Sequence, residues 1–206
     1  MTDDTGLRER KKRETRRLLA QLAIEMFAER GFEAVTIAEI AAAANVSDKT
    51  VFNYFPTKED LVLDGRDAIE AELIQAVRDR PRGESILVTM KRHALEIAAR
   101  MTALPAERRA AFRKIVATTP SVHDRMRQLS LRYEDQLTEI LAEETSAGAA
   151  DATPRAVASA LGILTRIAFG VGADRRKRWS HAEVIANIEA VFSLFERGLA
   201  GYAVRR

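Results

Sequence analysis

The chain has 206 residues, 47% hydrophobic and 31% charged, with ten Gly, five Pro and no Cys. That length suits one or two domains burying roughly 70% of the unfolded surface, and the composition excludes a disordered, collagen-like, linker-like or disulfide-built chain and a cysteine nucleophile. A formal net charge of +3 conceals local blocks: in residues 1–64 ten Lys/Arg meet twelve Asp/Glu, yet Arg8, Arg10, Lys11, Lys12, Arg13, Arg16 and Arg17 face only Glu9 and Glu14.

In chain order almost everything reads as helix. Leu18, Leu19, Leu22, Ala23, Met26 and Phe27 recur at helical spacing before Gly31, which predicts a first helix from about Arg8 to Arg30. Thr36-Ile37-Ala38-Glu39 is a capping box, opening a short helix to about Ala44. Asn45 tolerates a left-handed backbone and Ser47 is an N-cap, so a tight turn precedes a helix from Ser47 to Tyr54. Phe55-Pro56 ends it, and Thr57 caps a long helix through roughly Arg80, ahead of Pro81-Arg82-Gly83. Further helices are expected at about Glu84–Met101, Ala106–Thr118 and Pro120–Thr145. Thr153-Pro154 and the capping box Ser180-His181-Ala182-Glu183 start the last two, about Pro154–Ala173 and Ser180–Val204. No alternating run with hairpin punctuation reads as a strand. The fold class is all-α, with about nine helices.

The segment Thr36 to Tyr54 carries the functional information. Ile40, Ala44, Val46 and Val51 supply apolar contacts between two short helices, and Ala41 is small where their backbones approach. This spacing is that of a helix-turn-helix, whose second helix can lie in the major groove of DNA. An ordinary αα-corner in a bundle has the same local pattern.

The run from Val46 through Tyr54-Phe55-Pro56-Thr57-Lys58 to Leu61 strongly resembles the signature of TetR-family transcriptional regulators. The stretch Phe27-Ala-Glu-Arg-Gly-Phe and the run Val35 to Ala41 are similar to the same family's first and second helices. The resemblance implies a three-helix DNA-binding head over residues 1–56 and a helical ligand-binding and dimerisation body over 57–206. It also implies repression relieved by a small molecule.

The residue chemistry agrees with that expectation. Ser47 and Thr50 carry hydroxyls for phosphates near a helix start. Lys49 and Asn53 lie one turn apart, where Lys reaches guanine O6 or N7 and Asn pairs with adenine. The resemblance assigns Tyr54 and Lys58 to backbone phosphates and Thr36 to a helix start that touches one. Asp48 stands where the family often has Lys or Arg; it would repel phosphate or accept from cytosine N4. Phe52 lacks the hydroxyl of the commoner Tyr. The basic block at 8–17 reads as an arm toward backbone or minor groove, or as a frayed tail with diffuse attraction. The second basic run, Arg175 to Arg178, reads first as a solvated loop.

The last two helices are apolar on more than one face: Val157, Leu161, Leu164, Ala168 and Val171 form one stripe with Ile163, Ile167 and Phe169 beside it. Val184, Ile185, Ile188, Val191, Phe192, Phe195 and Leu199 repeat the pattern. Such helices are buried on two sides. With the resemblance, this implies a homodimer on a near-palindromic duplex, and Leu161, Leu164, Val191 and Phe195 are the interface candidates. Met90, His93, Phe112, Met126, Tyr133, Phe169 and Trp179 are candidates for a wall around an apolar effector; the same residue types at helical spacing are commonly plain core. No P-loop, nucleophile elbow, HExxH or His pair at metal spacing is present, and Gly170-Val171-Gly172 is too short for a phosphate loop, so neither enzyme chemistry nor a cofactor or metal is expected. The longest charge-free run, Ala156 to Thr165, is about half the roughly 20 residues of a membrane helix. No signal peptide is visible, and a cytoplasmic location is expected. A helical interaction module, or an enzyme with no recognisable catalytic motif, is the alternative reading of the whole.

Overall fold

The computed structural model describes residues 3–170 and 179–198, which form ten α-helices and no strand among the described residues. The stripe residues Val171 and Leu199, Gly172, the basic run at 175–178 and the expected helix ends at Ala173 and Val204 lie outside them. Compactness divides the chain into two units, one of residues 1–66 and 105–128, the other of 67–104 and 129–206.

In the first unit, α1 (Asp3–Arg30) begins a turn earlier than its apolar pattern implies. Its opening turns are solvent-exposed from Gly6 to Glu14, while Leu19, Ala20, Ala23, Ile24 and Phe27 are buried at i, i+4, i+8 spacing. Gly31 ends it at φ +91°, its N–H donating to the Phe27 carbonyl at 2.9 Å. Then come α2 (Ile37–Ala43), α3 (Asp48–Tyr54) and α4 (Lys58–Val62). Later in the chain, α7 (Ala106–Thr118) packs on α1. The core joins Leu19, Phe27, Val35, Ile40, Val51, Phe55 and Leu61, none with measurable exposure beyond 1%. Each such side chain contributes about 1.5–3 kcal/mol of apolar burial.

The long helix expected from Thr57 to Arg80 is two helices. α4 ends at Val62, and α5 (Arg66–Arg78) starts after a turn in which Gly65 holds φ +83°. Only glycine adopts that backbone without strain, so a rod of roughly 35 Å is interrupted at 63–65. This break supplies the tenth helix.

The second unit contains most of α5, α6 (Ile86–Ala103), the later turns of α8 (Pro120–Thr145), α9 (Thr153–Ala168) and α10 (His181–Arg197). Ser85 caps α6 by accepting from the Val88 N–H, a start two residues beyond the expected one. The N-cap of α9 is Ala152, not Thr153, because the Thr153 N–H is taken by Asp151 Oδ1 at 2.8 Å. α6 packs on α9 and α10, and α9 on α10, around Leu73, Val77, Met90, Ile97, Leu137, Leu164 and Ile188. Arg80 closes the 79–85 loop, donating to the Val77 carbonyl at 2.6 Å and the Glu84 carbonyl at 3.2 Å while its fork grips the Glu144 carboxylate. No described helix is long and apolar enough to cross a membrane.

Candidate nucleic-acid interface

The turn between α2 and α3 follows from local chemistry. Asn45 sits at φ 53°, in the left-handed region that Asn tolerates better than most residues. The Asn45 N–H donates to the Ala42 carbonyl at 3.1 Å and the Val46 N–H to the Ala41 carbonyl at 3.0 Å. Ala41 is 1% exposed, consistent with a small side chain where two backbones converge.

α3 is seven residues long, and its two sides differ sharply. Val51 within it and Phe55 at its C-cap are fully buried. Lys49, Phe52 and Asn53 are exposed at i, i+3, i+4 spacing and so share the opposite face, with Asp48 also exposed. Phe52 keeps half of its surface in solvent. At the N-terminus Ser47 Oγ accepts from the Thr50 N–H at 3.2 Å and lies 2.9 Å from Thr50 Oγ1. Both hydroxyls proposed for phosphate are therefore already joined in the cap. Tyr54 is half-buried.

Thr36 is more deeply committed than the resemblance suggests. Its N–H and hydroxyl both donate to Glu39 Oε2, at 2.7 and 2.9 Å, while its Oγ1 accepts from the Glu39 N–H at 3.2 Å. Arg30 donates to Glu39 Oε1 at 2.6 Å and to the Ala34 carbonyl at 3.1 Å. The Thr36 backbone bond, then the Arg30 bond, then the Thr36 hydroxyl lower the Glu39 carboxyl from 4.5 to about 2. A carboxylate with a depressed folded pKa contributes stability above its ordinary pKa and loses it as the pH falls toward the folded value. Acid titration should therefore weaken this cap progressively between about pH 4.5 and 2. Glu39→Gln is expected to flatten that part of the stability profile; an unaltered profile would show that Glu39 does not hold the cap.

Lys58, which the resemblance assigns to a backbone phosphate, also contacts rings. It is half-buried, with Nζ 4.4 Å from the centroid of the Phe32 ring and 5.5 Å from that of Phe27. Next along α4, Asp60 completes the second capping box with Thr57 and also accepts from Arg125 of α8, Nε to Oδ1 at 2.8 Å. Sequence reasoning missed both Arg30 and Arg125, since neither has a motif and their partners lie on other segments.

Residues 19–64 match the family model described as bacterial regulatory proteins, tetR family. The chain is 40% identical over 85 residues to the HTH-type transcriptional regulator TcmR of Streptomyces glaucescens, covering 41% of this chain and 38% of TcmR. In this segment the chain resembles the TetR family. The matched part spans under two-fifths of that relative's length. The fold agreement runs further. A TetR-family regulator of Syntrophomonas wolfei superposes with TM-score 0.59 at 18% identity, covering 93% of this chain and 99% of that one. NalD of Pseudomonas aeruginosa, described as the secondary repressor of the MexAB-OprM multidrug efflux pump, gives TM-score 0.55 at 19% identity, covering 92% and 97%. Both the family model and TcmR are described as regulators.

Of the effector candidates, Met90, Tyr133 and Phe169 meet in the core of the second unit. The Tyr133 hydroxyl donates to Met90 Sδ at 3.3 Å. Burial first, and the nearby Glu70 and Glu134 carboxylates after it, push that phenol well above its usual range, while a bond with Thr165 acts the other way. His93 is half-buried with Nδ1 3.2 Å from Glu96, and Trp179 packs at the edge of the same core. Phe112 and Met126 belong to the first unit. Among the described residues no three His, Asp or Glu side chains gather as a metal would require. Leu161 and Leu164, expected at the interface, are 4% and 0% exposed within this one chain; Val191 and Phe195 are half-buried at the core's edge.

Proposed function

We propose that the chain is a sequence-specific DNA-binding regulator, with α3 as its reading helix, acting as a homodimer on a near-palindromic duplex. The observation that carries this reading is the two-sided α3, which buries Val51 and leaves Lys49, Phe52 and Asn53 together in solvent. Residues 1–56 form the reading part in this proposal, and 57–206 the ligand-binding and dimerisation part. Retention on duplex DNA with steep salt dependence, followed by enrichment of one sequence from a randomised duplex pool, tests it. Binding without sequence enrichment would reduce the reading to a nonspecific basic module.

Lys58 is proposed to reach a backbone phosphate, as the family match suggests. Lys58→Ala should weaken binding to preferred and random DNA alike and lower the salt slope by about 1. An unchanged slope would leave Lys58 with its ring contacts alone.

Regulation is proposed as repression released by a small, largely apolar effector that binds in the second unit around Met90, Tyr133 and Phe169. The apolar character of those residues and the description of NalD as a repressor support it. The effector must favour a conformation that fits DNA poorly, and DNA must weaken effector binding by the same factor. A loss of about 5–150-fold in DNA affinity is expected. With the 57–80 rod interrupted at 63–65, transmission cannot run along one rigid helix there; α8 is unbroken from residues 120–128 of the first unit to 129–145 of the second. Titrating an effector against free and duplex-bound protein decides the point, because equal affinities would end the allosteric reading.

A further inference from the structure

Of the seven basic residues at 8–17, Arg16 is the one turned into the head. Its Nε donates to Asp64 Oδ1 at 2.7 Å, its Nη1 donates to the Tyr54 carbonyl at 3.2 Å, and its guanidinium lies 4.6 Å from the centroid of the Phe55 ring. Tyr54 is the last residue of α3, so its carbonyl is one of those a helix leaves without an internal partner. Basic side chains are suited to satisfy such carbonyls. Phe55 is the fully buried residue on which α3 is anchored as it leaves the interior. Asp64 lies in the turn between α4 and α5. One planar group therefore joins the end of the reading helix, its buried anchor and the turn that follows α4.

A seven-residue helix has little stability of its own, and its direction is set by the tertiary contacts at its ends. The N-terminal cap of α3 is formed by Ser47 and Thr50, both local to the helix. The C-terminal end is tied to α1 through Arg16, across 38 residues of sequence. A small rotation of α3 would carry Lys49 and Asn53 away from base edges while leaving the exposed cations of α1 unaffected. A fork that bonds a carbonyl and a carboxylate while stacking on a ring is a task for Arg, which Lys cannot perform. We infer that Arg16 is a positioning residue for base reading, with Asp64 as its orienting partner, and that it does not contact phosphate. This inference rests on α3 being the reading helix.

The test uses the full chain and the duplex that the wild-type protein enriches from a randomised pool, alongside a scrambled duplex, over a salt series. If Arg16 positions α3, Arg16→Ala and Arg16→Lys both lower the preference for the enriched duplex by about 5–150-fold, the worth of one bidentate base contact. The salt slope on scrambled DNA stays at the wild-type value. Asp64→Asn lowers the preference as well, although removing a negative charge should by itself strengthen attraction to DNA. A phosphate contact behaves oppositely: Arg16→Ala lowers the slope by about 1 with preference intact, Arg16→Lys restores binding, and Asp64→Asn binds more tightly. That pattern, or three variants indistinguishable from wild type, overturns the inference. Thermal melting accompanies each variant, and if Arg16→Ala fails to fold, the near-isosteric Asp64→Asn decides between the two outcomes. A wild-type protein that enriches no sequence at all would instead overturn the reading-helix proposal itself.

Discussion

Replacing Asn53 with alanine is expected to cost about 1–3 kcal/mol on the preferred duplex and almost nothing on random DNA. The asymmetry follows from where the side chain is. Asn53 is exposed one turn from Lys49, on the face opposite the buried Val51, so its removal disturbs no packing. An amide that pairs bidentately with adenine is lost only where adenine stands in the groove. Lys49→Ala should lower affinity on both kinds of DNA, and more on the preferred one, since its ammonium contributes both charge and a guanine contact. Competition binding with the enriched and scrambled duplexes reads both effects. If Asn53→Ala left the preference between duplexes unchanged, α3 would not be reading bases through this face.

Leu164→Glu should prevent the second unit from folding. Leu164 has no exposed surface and lies among Met90, Leu137 and Ile188 in the unit's core, so a carboxylate there has neither water nor a partner. The expected loss exceeds about 4–5 kcal/mol, against a total stability of about 5–15 kcal/mol for an ordinary domain. Phe195→Glu is expected to behave differently. Phe195 is only half-buried at the edge of that core, so a carboxylate can remain hydrated while spoiling an apolar face. The fold should survive and the proposed dimer should dissociate. Circular dichroism separates the two outcomes and light scattering reads the assembly. A folded Phe195→Glu protein that remains dimeric would remove Phe195 from the interface, and a wild-type protein that stays monomeric at micromolar concentration would remove the dimer.

What the sequence by itself determined is local. The Thr36 and Ser180 capping boxes, the Ser47 cap and the left-handed Asn45 are all formed by residues within a few positions of one another, and the helical spacing of Val51 and Phe55 puts them on one side of α3. Short-range hydrogen bonds and helical periodicity are sufficient to read them, which is why α3 and its exposed face are legible. Tertiary structure alone decided the destinations of the long basic side chains. Arg16 and Lys58 have several rotatable bonds, and their partners are rings, a carbonyl and a carboxylate; Arg16 reaches Tyr54 and Asp64 from 38 and 48 residues away. Charge counting groups Arg16 with the other cations of the 8–17 block because it cannot register those partners. The break at 63–65 was hidden for a related reason. A glycine inside a helical pattern costs only about 1 kcal/mol and does not oblige the chain to turn; here Gly65 holds φ +83° within a turn in which the Arg66 N–H donates to the Leu63 carbonyl at 3.1 Å. Apolar periodicity likewise shows that α9 buries more than one side, but not against what. Leu161 and Leu164 are enclosed by their own unit, because a hydrophobic stripe carries no information about which surface covers it until the other helices are in place.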